Sequence, residues 1–359
     1  MGTTRRSFLK AAAALPAAIQ FGAVGAEQPA AAGKSFKRIA TEEAMAIPEV
    51  FEAWQALMDS GADDEPGFRT GIDSWRTSEF IRKRLLDLDD LRIREMDAAG
   101  ISMQILSITS PGPQVLDAAQ GVDLAKKIND RLAEVVDAHP DRFAALAAVA
   151  PQAPREAARE LERAIQKLGF KGVLINSHTK GEYLDDRKFW PILETAQALD
   201  VPIYIHPREL PPHMLKSYED LGLHSFGWGF ATEVSLHAMR LIVSGVFDEF
   251  PGLKIIIGHM GERIPYWLQR MDGLDTKGRI KKLPSEYFKD NFMITTSGVP
   301  WHPAFMLAYE VLGADRIMFA VDYPWGTGEE CVKFMDTAPI PDSDREKIYH
   351  LNAEKIFRL

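Results

Sequence analysis

Eight short apolar runs rich in β-branched residues, most of them separated by segments of helical periodicity, constrain this chain more than any other feature. They fall at residues 38–44, 102–109, 143–149, 172–177, 202–207, 254–260, 292–297 and 317–323. Short, nearly continuous apolar runs mark strands buried on both faces, as in a parallel sheet covered by helices. The intervening segments supply the cover. Leu124, Ile128, Leu132, Val135 and Val136 form one apolar stripe, and Phe189, Leu193, Ala196 and Leu199 form another. Eight such units in one chain predict an α/β fold, a (β/α)8 barrel of the TIM type, rather than an open sheet.

A minimal barrel needs roughly 250 residues. The surplus of this 359-residue chain sits mainly in 45–100 and 208–230, read as an excursion after the first strand and a lid after the fifth. The excursion is expected to end in one long helix, about 78–99, stopped by Gly100, and the last helix, Asn352 to Leu359, to pack on the barrel wall. No linker or internal repeat divides 36–359.

The N-terminus is of another kind. Thr4-Arg5-Arg6-Ser7-Phe8-Leu9-Lys10 precedes an alanine-rich apolar run that ends in Val24-Gly25-Ala26. An arginine pair, Phe-Leu-Lys and a weakly hydrophobic run read as a twin-arginine export signal over residues 1–26, which implies the twin-arginine export machinery as a partner and a periplasmic address. Loss of Arg5, Arg6 and Lys10 would take the formal charge from −9 to −12. An acidic chain without a basic run is not a nucleic-acid binder. The single cysteine, Cys331, permits no internal disulfide and reads as helix packing.

Barrel enzymes carry their chemistry at the C-terminal ends of the strands. Here four strands end in metal-ligand or acid–base residues: Glu42 in Thr41-Glu42-Glu43-Ala44, His206 in Tyr204-Ile205-His206-Pro207, His259 in Gly258-His259-Met260-Gly261-Glu262, and Asp322 in Val321-Asp322-Tyr323-Pro324. A lone histidine at a strand end is more often a satisfied structural group than a ligand. Four such ends aimed into one cavity are the donor set of Zn²⁺ or Mn²⁺. Strand alternation puts Glu42 and Ala44 on one face and Glu43 on the other, where it reads as a paired structural carboxylate.

These residues resemble the aminocarboxymuconate-semialdehyde decarboxylase branch of the amidohydrolase superfamily, and within it the gamma-resorcylate and 5-carboxyvanillate decarboxylases. The likeness covers nearly all of 36–359. Besides the strand ends it includes Met96-Asp97-Ala98-Ala99-Gly100-Ile101, Leu184-Asp185-Asp186, Gly245-Val246-Phe247-Asp248 and Asn352-Ala353-Glu354. It implies a metal-dependent hydrolase type of barrel with one divalent metal ion, Mn²⁺ or Zn²⁺, held by Glu42, His206 and Asp322. It also implies that His259 works beside the metal on substrate, that Glu262 supports His259, that Arg270 orients the site from its own chain or across a subunit interface, and that the protein is a homodimer or homotetramer.

Much of the superfamily has a histidine where this chain has Ala44. The loss leaves an oxygen-rich site, which favours Mn²⁺, and room for a chelating substrate such as a carboxylate with an ortho phenol oxygen. The expected reaction is non-oxidative decarboxylation of an aromatic acid, with Asp322 as proton donor. A metal-dependent hydrolase of an ester, lactone or carbon–carbon bond stands as the alternative, and a non-catalytic binding protein as a third. For substrate contacts the sequence offers Arg84, Arg82 and Arg76 on the excursion, which read equally as a solvated helix face, and His178 after the fourth strand. Phe226, Trp228, Trp301 and Trp325 would make an aromatic wall, or else pack a lid.

Overall fold

β1 (Ile39–Met45), β2 (Met103–Ile108) and β3 (Phe143–Ala145) form one parallel sheet, and β4 (Ala147–Ala148), β5 (Val173–Asn176), β6 (Ile203–His206), β7 (Ile255–Ile257), β8 (Phe292–Thr295) and β9 (Ile317–Met318) a second, each paired in sequence order. The computed structural model describes residues 36–62, 65–69 and 78–359, so the expected signal segment and Arg76 lie outside the described residues.

The expected third strand is divided at Leu146 into β3 and β4. Leu146 N still donates to Leu106 O on one side, and Ala147 N to Gly172 O on the other. Just past the break Ala148 turns its backbone to a side chain: its N–H donates to Asn129 Oδ1 at 2.8 Å, and its carbonyl accepts from Asn129 Nδ2 at 2.8 Å. The chain after β9 returns to β1. Thr41 N donates to Phe319 O, Asp322 N to Glu42 O and Ala44 N to Tyr323 O, which joins the last strand to the first. A ring of parallel strands with helices between them is the TIM barrel that the alternation of the sequence predicts.

The strands are rich in buried apolar residues, with Ile203, Ile205 and Ile255–Ile257 completely buried. Helices cover them with the stripes read from the sequence. Ala118–Ala138 buries Leu124, Ile128, Leu132 and Val135, and starts at Asp117, whose carboxylate accepts from Gln120 N at 2.8 Å. The helix Trp190–Ala198 buries Ile192, Leu193 and Ala196. At the C-terminus Asn352–Phe357 packs as expected, with Asn352 Nδ2 donating at 2.7 Å to the carbonyls of both Ala314 and Ile317. Among the described residues no helix is long and apolar enough to cross a membrane.

One long helix over 78–99 does not form. There are two, Glu79–Leu86 and Asp90–Ala99. The break is made by Asp87, whose Oδ1 accepts from the backbone N–H groups of Asp89, Leu91 and Arg92. Aspartate competes for backbone donors in this way and so starts a new helix instead of continuing the old one. The second helix does end at Gly100, in the left-handed conformation at φ 67°.

Candidate metal centre

Glu42, in the middle of β1, faces into the barrel. Its Oε2 accepts hydrogen bonds from Tyr204 Oη, from Ser297 Oγ and, at 2.9 Å, from Thr295 Oγ1. Its Oε1 is buried and has no hydrogen-bond partner. A buried carboxylate oxygen with no donor carries a large desolvation cost, and a cation at that oxygen offsets it. Two imidazole nitrogens converge there: His206 Nε2 at 3.4 Å and His259 Nε2 at 3.5 Å. One ligand atom each of Glu42, His206 and Asp322 lies within 4.8 Å of the others.

His206 has the tautomer that a ligand needs. Its Nδ1 is 2.7 Å from Pro207 O, and a carbonyl only accepts, so the proton sits on Nδ1 and Nε2 turns a lone pair inward. Nitrogen and carboxylate donors in this arrangement fit one divalent metal ion. Glycines keep the space clear. A Cβ at Gly258 would stand 2.7 Å from Glu42 Oε2, and one at Gly298 would stand 2.6 Å from His259 Cδ2.

Past β7 the chain takes a rare path. His259, Met260, Gly261, Glu262 and Arg263 all have positive φ, between 49° and 77°. Each residue other than glycine in that region costs on the order of 1–2 kcal/mol. The turn is held by Gly261 N donating to Gly258 O and by His259 N donating to Ser297 Oγ at 3.1 Å. It brings His259 Nδ1 to 2.6 Å from Glu262 Oε1 and leaves Nε2 3.6 Å from Asp322 Oδ2. Burial by itself would lower the His259 pKa, but the carboxylates of Glu262 and Glu42 outweigh it and hold the imidazole well above its usual range. Burial raises the Asp322 carboxyl, with His259 opposing. Burial also pushes Glu42 up, and the neighbouring His259 and His206 pull it down to a net lowering.

Glu42, His206, His259, Glu262 and Asp322 are thus brought together as the sequence predicts. Other expected residues are not. His178 does not line the rim: it is wholly buried, its Nε2 lies 2.8 Å from Glu209 O, and its Nδ1 accepts from Gly181 N at 3.1 Å. Both nitrogens are used by the fold, and burial lowers its pKa well below normal, so it is a neutral structural group.

Arg84 is spent on packing. It pairs with Glu95 at 2.6 Å and lies over the Phe80 ring, fastening Glu79–Leu86 to Asp90–Ala99. Arg270 is exposed on the helix Ile264–Met271, 5.7 Å from the ring of Trp267, and among the described residues no contact joins it to the site. Phe226 and Trp301 are 81% and 63% exposed and make no aromatic wall in the single chain. Trp228 is stacked under Arg263, which itself follows the histidine turn. Trp325 is placed beside the site through its N–H, which donates to Asp322 O at 2.8 Å.

Sequence reasoning missed the three hydroxyls on Glu42. Their signal was present: Tyr204 stands two residues before His206 on one strand face, and Thr295 and Ser297 repeat that spacing. It also missed Arg92, fully buried, whose guanidinium donates to the carbonyls of Ala44, Arg84 and Asp87 and to Gln104 Oε1. Glu43 is the structural carboxylate expected, accepting from Val321 N at 2.9 Å and Gln104 Nε2 at 3.3 Å, with burial pushing it up to about 8.

The amidohydrolase family profile matches residues 72–359. Gamma-resorcylate decarboxylase of Polaromonas sp. is 39% identical over 88% of this chain and 98% of its own length. Among solved structures, 5-carboxyvanillate decarboxylase from Sphingomonas paucimobilis superposes with a TM-score of 0.87 at 41% identity, covering 90% of this chain and all of that one. A dihydroxybenzoic acid decarboxylase from Polaromonas sp., solved with bound manganese and the inhibitor 2-nitroresorcinol, superposes with a TM-score of 0.79 at 37% identity, over 90% of this chain and 97% of that one.

Proposed function

The chain belongs to the amidohydrolase family, and we propose that within it this protein is a manganese-dependent, non-oxidative decarboxylase of a phenolic acid. The observation that carries the reading is the bare, buried Glu42 Oε1, with His206 Nε2 and the Asp322 carboxylate on its open side. Named relatives that decarboxylate hydroxybenzoates, and the manganese in their structures, support it. Glu42, His206 and Asp322 would hold the ion, and a divalent cation there would supply charge neutralisation for a phenol oxygen and a neighbouring carboxylate and so orient the ring.

The protein's own groups then move the proton. A cation beside a carboxylate favours its ionised form, so Asp322 takes up its proton within the substrate complex and delivers it to the ring carbon that bears the carboxylate. The carbon–carbon bond breaks with its electrons returning to the ring, carbon dioxide leaves, and Asp322 remains as the carboxylate. His259, fixed by Glu262, hydrogen-bonds the substrate and returns a proton to Asp322. No water is consumed, in contrast to the hydrolase reading.

The test uses the Mn²⁺-loaded protein, a panel of ortho-hydroxybenzoates with carbon dioxide as readout, and aryl esters and lactones beside them. Carbon dioxide release is expected. Ester or lactone cleavage without it would make the protein a hydrolase.

The export reading of residues 1–26 rests on Arg5-Arg6 and the alanine-rich run. Expressed from its full gene, the protein should reach the periplasmic fraction, and an Arg5→Lys, Arg6→Lys double variant should stay inside the cell. A homodimer or homotetramer is supported by Tyr266 and Trp267, which stand 70% and 48% exposed on the helix that carries Arg270. Light scattering of the purified protein decides it.

A further inference from the structure

Opposite the acidic side of the barrel mouth lies a second set of buried polar atoms without partners. Both side-chain atoms of Asn176, Oδ1 and Nδ2, are buried and unbonded, as are Thr109 Oγ1 and Ser110 Oγ. Asn176 is 1% exposed and Thr109 is 1% exposed. Register shows where they point. Leu174 pairs with Tyr204 and Asn176 with His206, and paired residues of parallel strands share a face. Tyr204 reaches Glu42, so Asn176 stands inside the barrel beside His206. On the other side Ala44 shares the inward face of Glu42 and pairs with Ser107, which sets Thr109, two residues on, inward as well.

The strand between them contributes Ala148, which pairs with inward-facing Leu174. Ala44 and Ala148 put only methyl groups on the face that Asn176 and Thr109 share. The backbone of Asn176 is already pinned: its N–H donates to Gln114 Oε1 at 2.6 Å and its carbonyl accepts from Gln114 Nε2 at 3.1 Å. Only the side-chain amide is left over. The following loop comes close, since a Cβ at Gly112 would lie 3.1 Å from Asn176 Nδ2. A buried amide with neither end satisfied is expensive unless something fills the space.

We propose that Asn176, with Thr109, is a specificity-determining subsite that binds an uncharged hydroxyl substituent on the ring of the substrate. An amide and a hydroxyl each donate and accept, as does a phenol hydroxyl. Among the described residues, the cation behind this wall, Arg208, is already engaged by Glu65 at 2.9 Å and by Glu209 at 3.5 Å, and His178 is neutral. The inference rests on the phenolic-acid reading of the metal centre and adds the second group that the enzyme recognises.

Titration calorimetry on the Mn²⁺-loaded full chain tests it without turnover, with 2-nitrophenol and each of its ring-hydroxylated derivatives, 2-nitroresorcinol included. The protein should bind one hydroxylated isomer roughly ten-fold more tightly than 2-nitrophenol. Asn176→Leu, similar in shape, should abolish that preference and leave 2-nitrophenol binding unchanged. Thr109→Val should reduce the preference, with an unaltered circular dichroism spectrum as control. A preference that survives both variants, or an equal loss for every ligand, overturns the subsite. If the native protein binds no nitrophenol while retaining its metal, the phenolic-acid reading itself falls, and the subsite with it.

Discussion

Glu42 divides its two oxygens between two tasks, and the residues around it follow that division. Three hydroxyls grip Oε2, and Oε1 is left for a cation. His206, with its proton committed to Pro207 O, is the proposed nitrogen donor. His206→Ala should therefore be purified with little Mn²⁺, measured by mass spectrometry of the metal, while its melting curve in chelator matches that of the native protein in chelator. Full metal occupancy in that variant would remove His206 from the ligand set. In the proposed mechanism Asp322 both closes the ligand set and carries the transferable proton. Asp322→Asn keeps the shape and removes the acid, so carbon dioxide release should fall by about 10²–10⁴-fold, whereas loss confined to metal affinity and reversed by excess Mn²⁺ would leave Asp322 as a ligand only.

At the scale of the element, the turn from His259 to Arg263 is the part of the fold under most strain. Four residues other than glycine are held there with positive φ because only that path presents both His259 and Glu262 to the rim. It depends on Gly258 letting the backbone pass close to Glu42. Gly258→Ala would place a methyl group 2.7 Å from Glu42 Oε2. The expected outcome is a folded protein with Mn²⁺ affinity lowered by at least ten-fold in a competition titration; native affinity would mean that the turn moves freely. The other notable junction is the pair of helices Glu79–Leu86 and Asp90–Ala99. Arg92 and the Arg84–Glu95 ion pair tie them to each other and to β1, so Arg84, which looked available for substrate, serves as a fastener.

For the whole molecule, buried titratable groups away from the metal centre set the pH range of stability. Ser177 Oγ donates to Glu233 Oε1 at 2.8 Å and lies 3.1 Å from His237 Nδ1, and all three are buried. Burial pushes Glu233 up to about 8 and His237 down to about 3. Between about 4.5 and 8 the unfolded chain has released the Glu233 proton and the folded protein has kept it, so the Glu233 contribution to stability is lost as pH rises through that window. His237 works in the opposite sense: below about 6.5 the unfolded chain takes up a proton that the buried imidazole refuses, so stability falls as pH falls toward 3. Between about 4.5 and 6.5 the two slopes cancel, and above that only the Glu233 slope remains. Thermal melting of Glu233→Gln against the native protein should show a flatter decline between pH 6.5 and 8. Parallel curves would show that Glu233 is ionised in the folded state.

The sequence by itself determined the strand order, the stripes that cover the strands and the residues at the rim, because period, length and strand-end position are local properties of the chain. Glu42, His206, His259, Glu262 and Asp322 were legible on those grounds and through family likeness. The tertiary structure alone decided which polar groups were already satisfied. His178 and Arg84 have the same chemistry as a ligand or a substrate clamp, and they are consumed by Glu209 O and Glu95, partners that no local pattern shows. The split at Asp87 turned on three backbone donors, and the exposure of Arg270, Phe226 and Trp301 on how the helices and loops docked. The bare oxygen of Glu42 and the unpaired amide of Asn176 emerged in the same way, since a vacancy in a hydrogen-bond network exists only once every neighbour has been placed.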